Sequence, residues 1–485
     1  MLSIIVAAIS ILIAYVHATL IYNLWFHPLA KFPGPWLARS TLLWRMFFSM
    51  RGRFHRVIEQ QHQKYGPVFR VSPNELSFGS VGSWKAIYAP PPSAPPLTKT
   101  EFYTMYGSGF KSLCIASERD PSNHNRMKRS LAGGFSSKAL FEQEEIVQQC
   151  VDQFVQKIGE AAKGSEPVDM KSWYEMVAFD VLGEMAFGES FHCVDSGKPH
   201  FWQQMTTEHL FFITLLDNMR RYPLLRQIGS TLLPSLTTSI RDKHSGYSRS
   251  QVSKRLAHKG ARKDILANVV AKVETGEVPQ EELTAHASTL ILAGGETVGT
   301  FMTAATYWLC KTPSTQQKLR KEIRDRYERY EDIDAASAMK LPYVQAVINE
   351  ALRIYPPASQ GFPRTSPGAM IDGYYVPKGT EVYTSAWTVT HDPKNFERPN
   401  EFIPERWIDP ENKDIKEASQ PFSLGPRVCI GRNFAYMEMS SLLAKVFYRY
   451  DMELVDPNMD FEGQSHMHVM WWKPSLPIRL TERMD

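Results

Sequence analysis

Cysteine is scarce in this sequence, and the positions of the few that occur exclude two kinds of scaffold. A disulfide framework needs an even number of closely placed cysteines, and a structural zinc site needs ligands in pairs. Neither condition is met, because the number of cysteines is odd and no two lie close together. The simplest interpretation is a reducing compartment. The five are Cys114, Cys150, Cys193, Cys310 and Cys429.

An excess of charge of one sign and the common nucleotide-binding motifs are also missing. The 55 lysines and arginines nearly balance the 51 acidic residues, and no basic tail is present, which argues against a nucleic-acid partner. The sequence has no P-loop, no GxSxG elbow and no GxGxxG motif after a predicted strand. No flavin or NADPH module is visible, so any electrons that the chain uses come from another protein.

The sequence does have one long apolar run at its start, Leu2–Tyr22, without a charged side chain. About 20 apolar residues suffice to span a bilayer. A cleaved signal peptide is the competing interpretation, since the Val-His-Ala at 16–18 resembles a cleavage site, but the run is long and lacks a charged start. The first charges that follow, beginning with Lys31 and Arg39, are basic and favour a cytoplasmic body. We predict a single-pass transmembrane anchor at residues 1–24.

A short proline-rich segment separates this run from the rest of the chain. His27–Trp36 reads HPLAKFPGPW, and three prolines with one glycine predict a stiff, non-helical connector. We predict a linker at 25–40 and one domain at 41–485. Most of that domain shows helical spacing of apolar residues, so the predicted fold class is mainly α with a small β region. The predicted helices are Ser136–Ile158, Pro167–Phe187, Glu281–Cys310, Pro342–Tyr355 and Arg432–Tyr448, and the extended stretches are Val68–Ser72, Met370–Val376, Glu381–Ser385 and the C-terminal residues.

The stretch FSLGPRVCIG, Phe422–Gly431, places Cys429 between two glycines and just before a predicted helix. The positive end of a helix dipole and its free backbone N–H groups stabilise a thiolate. A thiolate without a partner cysteine suits one axial bond to haem iron, and Arg427 suits a charge-assisted bond to a haem carboxylate. The alternative is a structural cysteine in a glycine-rich loop.

Five fixed positions in this stretch, Phe422, Gly425, Arg427, Cys429 and Gly431, resemble the haem-ligand signature of the cytochrome P450 family. The resemblance covers essentially the whole chain after the anchor. It implies a cytochrome P450 fold, mainly helical with a minor sheet region, around a buried haem b whose axial iron ligand is Cys429.

Two further motifs resemble elements of the same family. The motif from Glu350 to Arg353 places an acid and a base on one helix face, which in isolation is a weak surface pair. The later stretch FIPERW resembles the family's PERF element and ends in Trp407 where Phe is commoner. The resemblance implies that Glu350, Arg353 and Arg406 form a buried structural network that supports the haem-ligand loop.

In the middle of the longest predicted helix lies AGGET, Ala293–Thr297. Two glycines weaken a helix interior by roughly 1 kcal/mol each, which indicates a close approach by another group, here haem with dioxygen. The plainer interpretation is a threonine that bonds back to the Ala293 carbonyl, beside a solvated glutamate. The resemblance implies that Glu296 and Thr297 are catalytic and deliver protons for O–O cleavage. Val298 stands where the family often has a hydroxyl residue.

Three basic residues are candidates for binding the haem propionates, by resemblance. His124 and Lys128 lie four apart, in the places of the family's propionate-binding helix, and His in the first place resembles fungal secondary-metabolism enzymes. Arg364 is the candidate for the other propionate. The plain interpretation of the pair at 124 and 128 is a solvated basic helix.

Together these motifs predict a haem-thiolate monooxygenase that inserts one oxygen atom of O2 into a lipophilic small molecule. The resemblance implies a membrane-bound NADPH–cytochrome reductase as the electron donor, docking on the face nearest Cys429. Lys445, Arg449 and Arg432 contribute to that face unless they are merely solvated. The resemblance also implies a single-pass location in the endoplasmic reticulum membrane and a tailoring step on a terpenoid, polyketide or alkaloid.

Two other functional classes stay open. A haem-thiolate enzyme can isomerise or dehydrate its substrate without external electrons, and a membrane haem protein can simply bind a ligand. The pair of Glu296 and Thr297 argues against both, because neither class needs protons delivered for dioxygen. Five segments are expected to line an apolar substrate pocket: Phe102–Phe110, Phe201–Leu216, Leu290–Ala293, Ala358–Phe362 and His466–Met470.

Overall fold

In the computed structural model, the chain is described over residues 1–91, 93–107, 109–164, 166–222, 234–257 and 264–483, without the side chains of 204, 206–209 and 234–241. Helices dominate this part of the chain. They are α1 (Leu2–Ile21), α2 (Trp36–Ser40), α3 (Leu43–Met50), α4 (Phe54–Tyr65), α5 (Val81–Tyr88), α6 (Pro121–Ala132), α7 (Ser137–Ala162), α8 (Met170–Phe187), α9 (Cys193–Ser196), α10 (Phe201–Met219), α11 (Pro234–Ala257), α12 (Ala267–Glu274), α13 (Gln280–Lys311), α14 (Pro313–Arg326), α15 (Ala335–Ala338), α16 (Pro342–Ile354), α17 (Ala386–His391), α18 (Arg432–Arg449) and α19 (Phe461–Gln464).

The strands are short and form four separate sheets in the described residues. The largest sheet has the order β1-β2-β8-β5-β3, in which β2 and β8 run parallel and the other neighbours antiparallel. β4, β12 and β9 form an antiparallel sheet, and β6–β7 and β10–β11 are hairpins. The strands are β1 (Val68–Ser72), β2 (Glu75–Phe78), β3 (Thr98–Lys99), β4 (Val168–Asp169), β5 (Arg364–Thr365), β6 (Ala369–Ile371), β7 (Tyr374–Val376), β8 (Glu381–Thr384), β9 (Tyr450–Leu454), β10 (His466–His468), β11 (Met470–Trp472) and β12 (Pro477–Glu482).

The mainly helical fold with a small β portion is confirmed, and α13 forms its centre. The 32 residues of this helix span about 48 Å. It packs against α8, α11, α16 and α18, and the buried apolar residues of these helices belong to one large core. A second, smaller core lies under the five-stranded sheet. The long central helix therefore carries any residue at its midpoint into the interior.

Two predicted elements differ from the structure for local reasons. The helix predicted from Pro167 begins at Met170, because Val168 and Asp169 pair with β12 as a short strand. The extended stretch Met370–Val376 is a hairpin, because Asp372 and Gly373 take positive φ angles of 48° and 84° and reverse the chain. The sequence pattern gave the extended character of this stretch but not its turn.

The N-terminal run is helical and exposed. α1 has no buried residue, and a π-helical turn, Tyr22–Phe26, continues it to 25 residues that are long and apolar enough to cross a membrane. At 1.5 Å per residue they span about 37 Å, more than the roughly 30 Å of a hydrocarbon core.

The segment at 25–40, predicted as a linker, packs onto the body and is helical at its two ends only. Trp36–Ser40 form α2, and Leu29 and Phe32 are buried in the core under the sheet. The Arg39 guanidinium also donates to the carbonyls of Leu24 and Ala30. Prolines removed local hydrogen bonds, as expected, but apolar side chains between them pack the segment onto the domain.

Candidate active site

Cys429 lies in a turn that one glycine makes possible. Gly425 has a φ of +71°, and a Cβ there would lie 2.2 Å from the Tyr88 carbonyl oxygen, so only glycine fits. The Cys429 N–H donates to the Phe422 carbonyl at 2.9 Å and closes the turn. Gly431 has an ordinary φ of −86°, and a Cβ there would lie 4.0 Å from the Cys429 sulfur. Gly431 therefore keeps the space beside the sulfur open and does not shape the backbone.

The accessible surface of Cys429 faces a large internal cavity. Each of the five segments expected to line a pocket contributes to it, and the described part of Phe201–Leu216 does so through Leu210 and Ile213. Most of the wall is apolar. The apolar lining includes Met105, Phe110, Leu210, Ile213, Leu292, Ala293, Phe301, Phe362 and Met470. The cavity thus joins one thiol to a wall suited to a lipophilic molecule.

The surroundings of the Cys429 thiol act on its pKa in opposite directions. Burial raises its pKa above the ordinary value, and the Gly431 N–H and the Arg432 charge only partly oppose this effect. The expected stabilisation at the start of α18 is present, but desolvation outweighs it. A metal cation bound to the sulfur would favour the thiolate.

Basic side chains cluster in the lining of the cavity. Lys99, Lys128, Arg364 and Arg427 contribute to it, together with His124. Burial, with the nearby charges of Arg427 and Arg364, lowers the pKa of Lys99 to about 6. Burial and Arg364 lower the pKa of Arg427 to about 10. Burial is also the main cause that lowers the pKa of His124 to about 3.

The hydrogen bonds of these cations go mainly to neutral groups. Arg427 donates to the carbonyls of Glu118 and Arg119, at 2.7 and 2.9 Å. Lys128 donates to the carbonyl of Pro426 at 2.8 Å, and Arg364 to the Tyr103 hydroxyl at 2.7 Å. Lys99 donates to the carbonyls of Ile115 and Ala116. A flat apolar group that carries carboxylates fits this cavity, because it would supply the anions that the cluster lacks. The residues present therefore fit haem.

Glu296 and Thr297 line the same cavity from the middle of α13. The Thr297 hydroxyl donates to the Ala293 carbonyl at 2.7 Å, which is the plainer of the two arrangements considered from the sequence. The glutamate is not solvated, since its side chain is 11% exposed and it forms an ion pair with Lys473. The raised pKa of Glu296 follows from burial, which the Lys473 charge only partly opposes. The structure thus gives the acid a buried basic partner that the motif did not indicate.

The two glycines before Glu296 lie against a neighbouring helix. A Cβ on Gly294 would lie 2.6 Å from a Leu182 methyl group, and one on Gly295 would lie 3.3 Å from the Phe179 ring. Both Leu182 and Phe179 belong to α8. The close approach seen at these glycines is therefore that of a neighbouring helix, and the predicted approach of haem with dioxygen stays a prediction.

Glu350, Arg353 and Arg406 form one buried network. The Arg353 guanidinium binds both carboxylate oxygens of Glu350 at 2.8 Å, and Arg406 Nε donates to Glu350 at 3.1 Å. Trp407 stands where Phe is commoner. Its indole N–H donates to Glu350 at 2.9 Å, a hydrogen bond that Phe cannot form. The Ile403 N–H donates to the same carboxylate at 2.9 Å. One glutamate thus satisfies four donor groups on two chain segments.

One of the three residues predicted to form a basic docking face is buried. Lys445 is buried, and its ammonium bonds to Asp152, because residue 445 lies on the face of α18 that packs against α7. Arg449 is exposed but pairs with Glu482 at 2.7 Å. Arg432 is exposed beside the Cys429 turn. Only Arg432 and Arg449 of the three thus present charge to solvent.

Fold and site together define a haem-thiolate protein, with one cysteine and a cluster of basic side chains in the lining of an apolar cavity. The family model for "Cytochrome P450" matches residues 32–480, and the chain belongs to that family. It is a cytochrome P450 monooxygenase, and as such it uses haem, O2 and electrons from a redox partner to oxidise a lipophilic small molecule.

Three of the relatives that it resembles come from fungi. It is 58% identical over 468 residues to the cytochrome P450 monooxygenase ORF9 of Penicillium roqueforti, covering 96% of this chain and 92% of that protein. It is 51% identical to the cytochrome P450 monooxygenase BOT4 of Botryotinia fuckeliana, over 94% of this chain and 87% of that protein. It is 36% identical to the trichothecene C-15 hydroxylase of Fusarium sporotrichioides, over 97% of this chain and 96% of that protein.

Sequence reasoning missed Lys99, Glu175 and Lys473. Lys99 stands in a two-residue strand after a proline-rich loop, where no period or motif marks it. Lys473 follows β11 and reaches α13 only through the tertiary fold. In the sequence, Glu175 resembles any polar residue of a helix. Only its ion pair with Lys473 connects it to the site. No local signal in the sequence would have found the latter two.

We expect Lys99→Met to weaken haem retention. Loss of one charge-assisted hydrogen bond costs about 1.5–3 kcal/mol, so haem should dissociate at least about tenfold faster. Transfer of haem to an excess of a haem-scavenging protein measures this rate. Lys111→Met is the control, because Lys111 is exposed and does not line the cavity. Equal rates for the two variants would show that Lys99 does not contact the cofactor.

Proposed function

We propose that the protein hydroxylates a lipophilic secondary metabolite as a tailoring step in its biosynthesis. The observation that supports this proposal is the apolar cavity that Cys429 shares with Glu296 and Thr297. The names of two relatives support the reaction, since they are trichothecene C-15 and C-4 hydroxylases. Terpenoid, polyketide and alkaloid substrates are all compatible with the apolar wall.

The roles of the site residues in this proposal follow their positions. Cys429 would bind the iron of haem b, and the basic residues of the cavity would hold its carboxylates. These are Lys99, His124, Lys128, Arg364 and Arg427. Bound haem supplies the activation of O2. Thr297 and Glu296 hold and move protons at the cavity wall, and the apolar residues orient the substrate and exclude water. Glu350, Arg353 and Arg406 keep the segments around the cysteine turn in place.

The proposed electron donor is a membrane-bound NADPH–cytochrome reductase. An exposed Arg432 beside the Cys429 turn supports docking there, since it offers positive charge close to the cofactor. The proposed location is the endoplasmic reticulum membrane, with Leu2–Phe26 as the single span and the catalytic body in the cytoplasm. The basic residues that follow the span support this orientation.

The function is tested by comparing metabolites of the native host with those of a Cys429→Ala strain by high-resolution mass spectrometry. A compound that accumulates in the variant and lacks one oxygen relative to the lost product supports hydroxylation. The accumulated compound is then incubated with the enzyme, reductase and NADPH. Conversion without NADPH would overturn the proposal in favour of an isomerase or dehydratase, and no conversion in a pathway that runs in the host would favour a binding protein.

Replacing Thr297 by Ala should divert reducing equivalents from product to hydrogen peroxide, because the hydroxyl is removed from the cavity wall while the haem site stays intact. We expect product per NADPH to fall by about tenfold or more. Thr303→Ala is the control, since the Thr303 hydroxyl bonds back to Gly299 on the same helix but lies outside the cavity. Unchanged coupling in Thr297→Ala would remove the threonine from the mechanism.

Deletion of Leu2–Ile21 should release the protein from membranes, because this segment holds the exposed apolar surface of the N-terminus. The turn after it is kept, since Asn23 is buried and donates to the Ser40 carbonyl at 2.9 Å. Cell fractionation measures the shift, and an unrelated apolar span in place of α1 should restore membrane binding. A deletion variant that stays wholly in the membrane fraction would show that another surface anchors the body.

A further inference from the structure

Four charged side chains form a series of ion pairs that runs from the cavity wall at α13 to the protein surface. They are Lys171 and Glu175 on α8, Glu296 on α13 and Lys473 after β11. Two of the four are acids and two are bases, so the cluster is neutral when every member is ionised. We propose that this cluster is the route by which protons reach Glu296, and that Lys473 and Glu175 are positioning residues that refill the acid.

The contacts form an unbroken series. The ammonium of Lys473 bonds to Glu296 Oε1, lies 3.1 Å from Glu175 Oε1 and donates to the Thr300 hydroxyl at 2.9 Å. Its three protons therefore have three side-chain acceptors. Glu175 Oε2 lies 2.8 Å from Lys171 Nζ on the next turn of α8. A proton can pass along this series without crossing an apolar gap.

Burial changes along the series from solvent to cavity. The Lys171 side chain is 26% exposed, Glu175 is 9% exposed and Lys473 is 1% exposed. Glu296, at the other end, lines the cavity. The outer end therefore meets water and the inner end meets the place of reaction, as a proton route requires.

The surrounding chain holds the cluster in place. Trp471, two residues before Lys473, is buried, stacks on Tyr355 at 4.2 Å and donates to the Pro356 carbonyl at 2.9 Å. On the helix side, Gly299 lets Glu175 approach, since a Cβ there would lie 3.1 Å from the Glu175 side chain. The buried ammonium is thus placed by anchored backbone on one side and by close helix packing on the other.

A purely stabilising ion pair is the simpler explanation, and it accounts less well for the arrangement. A buried pair is weak evidence for stability, because desolvation of both charges offsets most of their attraction. Here the chain buries a lysine between two carboxylates directly beside an apolar cavity. The desolvation cost of this buried lysine is explained if the four side chains pass protons to the cavity.

The reaction sets the number of protons that the route must carry. Insertion of one oxygen atom consumes two electrons and two protons, as RH + O2 + 2 e⁻ + 2 H⁺ gives ROH + H2O. In each transfer, starting from four ionised groups, Glu296 takes one proton from the Lys473 ammonium and releases it into the cavity. The resulting amine is protonated again by Glu175, whose carboxylate has taken one proton from water beside Lys171. No electron moves in the series, and one proton enters for each that leaves. The inference rests on the proposed role of Glu296.

The test uses the full-length holoenzyme with reductase, NADPH and O2 alone, so it does not depend on the identity of the substrate. Lys473→Met and Glu175→Gln should lower the rate of NADPH oxidation by on the order of tenfold and increase its dependence on D2O, because proton supply becomes limiting. Lys473→Arg keeps the charge and the donors but cannot release a proton, so it should not restore the rate. The rate of the first electron transfer, trapped with carbon monoxide, should not change.

Arg255→Met is the matched control for loss of a buried cation. Arg255 is 8% exposed and pairs with Asp264 at 2.8 Å, away from the series. A structural role would lower holoenzyme content in both Arg255→Met and Lys473→Met and leave the D2O effect of the remaining enzyme as in wild type, which would overturn the proposal. Glu175→Gln preserves shape and gives the same test if Lys473→Met does not fold.

Glu296→Gln separates this proposal from the one on which it rests. If Glu296→Gln changes the rate and the D2O effect while Lys473→Met and Glu175→Gln do not, the acid works but its protons come by another path, and the route is wrong. If Glu296→Gln also behaves as wild type, the proposed role of Glu296 fails together with the route.

Discussion

Cys429→Ser should abolish the thiolate-type carbon monoxide spectrum and all NADPH-dependent oxidation. The expected effect is complete, because the other cysteines of the described chain are absent from the cavity lining and none can replace the axial ligand. A serine hydroxyl keeps the size of the side chain but has no accessible anionic form near neutral pH. Spectra of the purified variant, with haem content determined separately, measure the result.

Cys150→Ser is the control for this experiment. Cys150 lies on α7, half-buried and outside the cavity, so its replacement should leave the spectrum and activity as in wild type. A thiolate-type spectrum that persists in Cys429→Ser would contradict the assignment of the ligand. Loss of the spectrum in Cys150→Ser as well would show that the assay reports folding and not ligation.

Glu350→Gln should destabilise the domain severely. Removal of one partner from a buried ion pair costs about 3–5 kcal/mol. Glu350 is the carboxylate that pairs with Arg353, and it shares Arg406 with Asp414, all in full burial. Total stabilities of domains are about 5–15 kcal/mol, so much of the variant should lose haem or fail to fold at growth temperature. Denaturation of the holoprotein in urea measures the change in the free energy of unfolding.

A second ion pair has the same sequence spacing but is exposed, so it serves as the control for the effect of burial. Arg398 and Glu401 also lie three residues apart and pair at 3.0 Å, but both side chains are 57% exposed. Glu401→Gln should therefore cost less than about 1 kcal/mol. Similar losses in Glu350→Gln and Glu401→Gln would show that the buried network is not what stabilises this region.

Much of the candidate site could be predicted from sequence because its motifs are local. The turn that carries Cys429, the helix that carries Glu296 and Thr297, and the helix with Glu350 and Arg353 are each read from a few neighbouring residues. Such motifs depend on backbone conformation over one or two turns. The neighbours that these residues meet across the fold, however, were predicted only where the family resemblance supplied them.

The glycines of the AGGET motif show the limit of local reasoning. The cost of two glycines in a helix correctly indicated a close approach, but the pattern cannot say from which side the neighbour comes. The structure puts Leu182 and Phe179 of α8 against Gly294 and Gly295. Lys445 was misplaced for the same reason, because only packing decides which face of α18 is covered.

The sequence by itself determined the helical class, the apolar N-terminal helix and the residues that carry the chemistry, since these depend on periodicity, length and side-chain type. The tertiary structure decided which charges are buried together. Lys99 reaches the basic cluster in the cavity lining, and Lys473 and Glu175 reach Glu296, over separations of many residues in the chain. The physical reason is that an ion pair needs two groups within a few ångströms, and only the packing of α8, α13 and the C-terminal strands sets that distance.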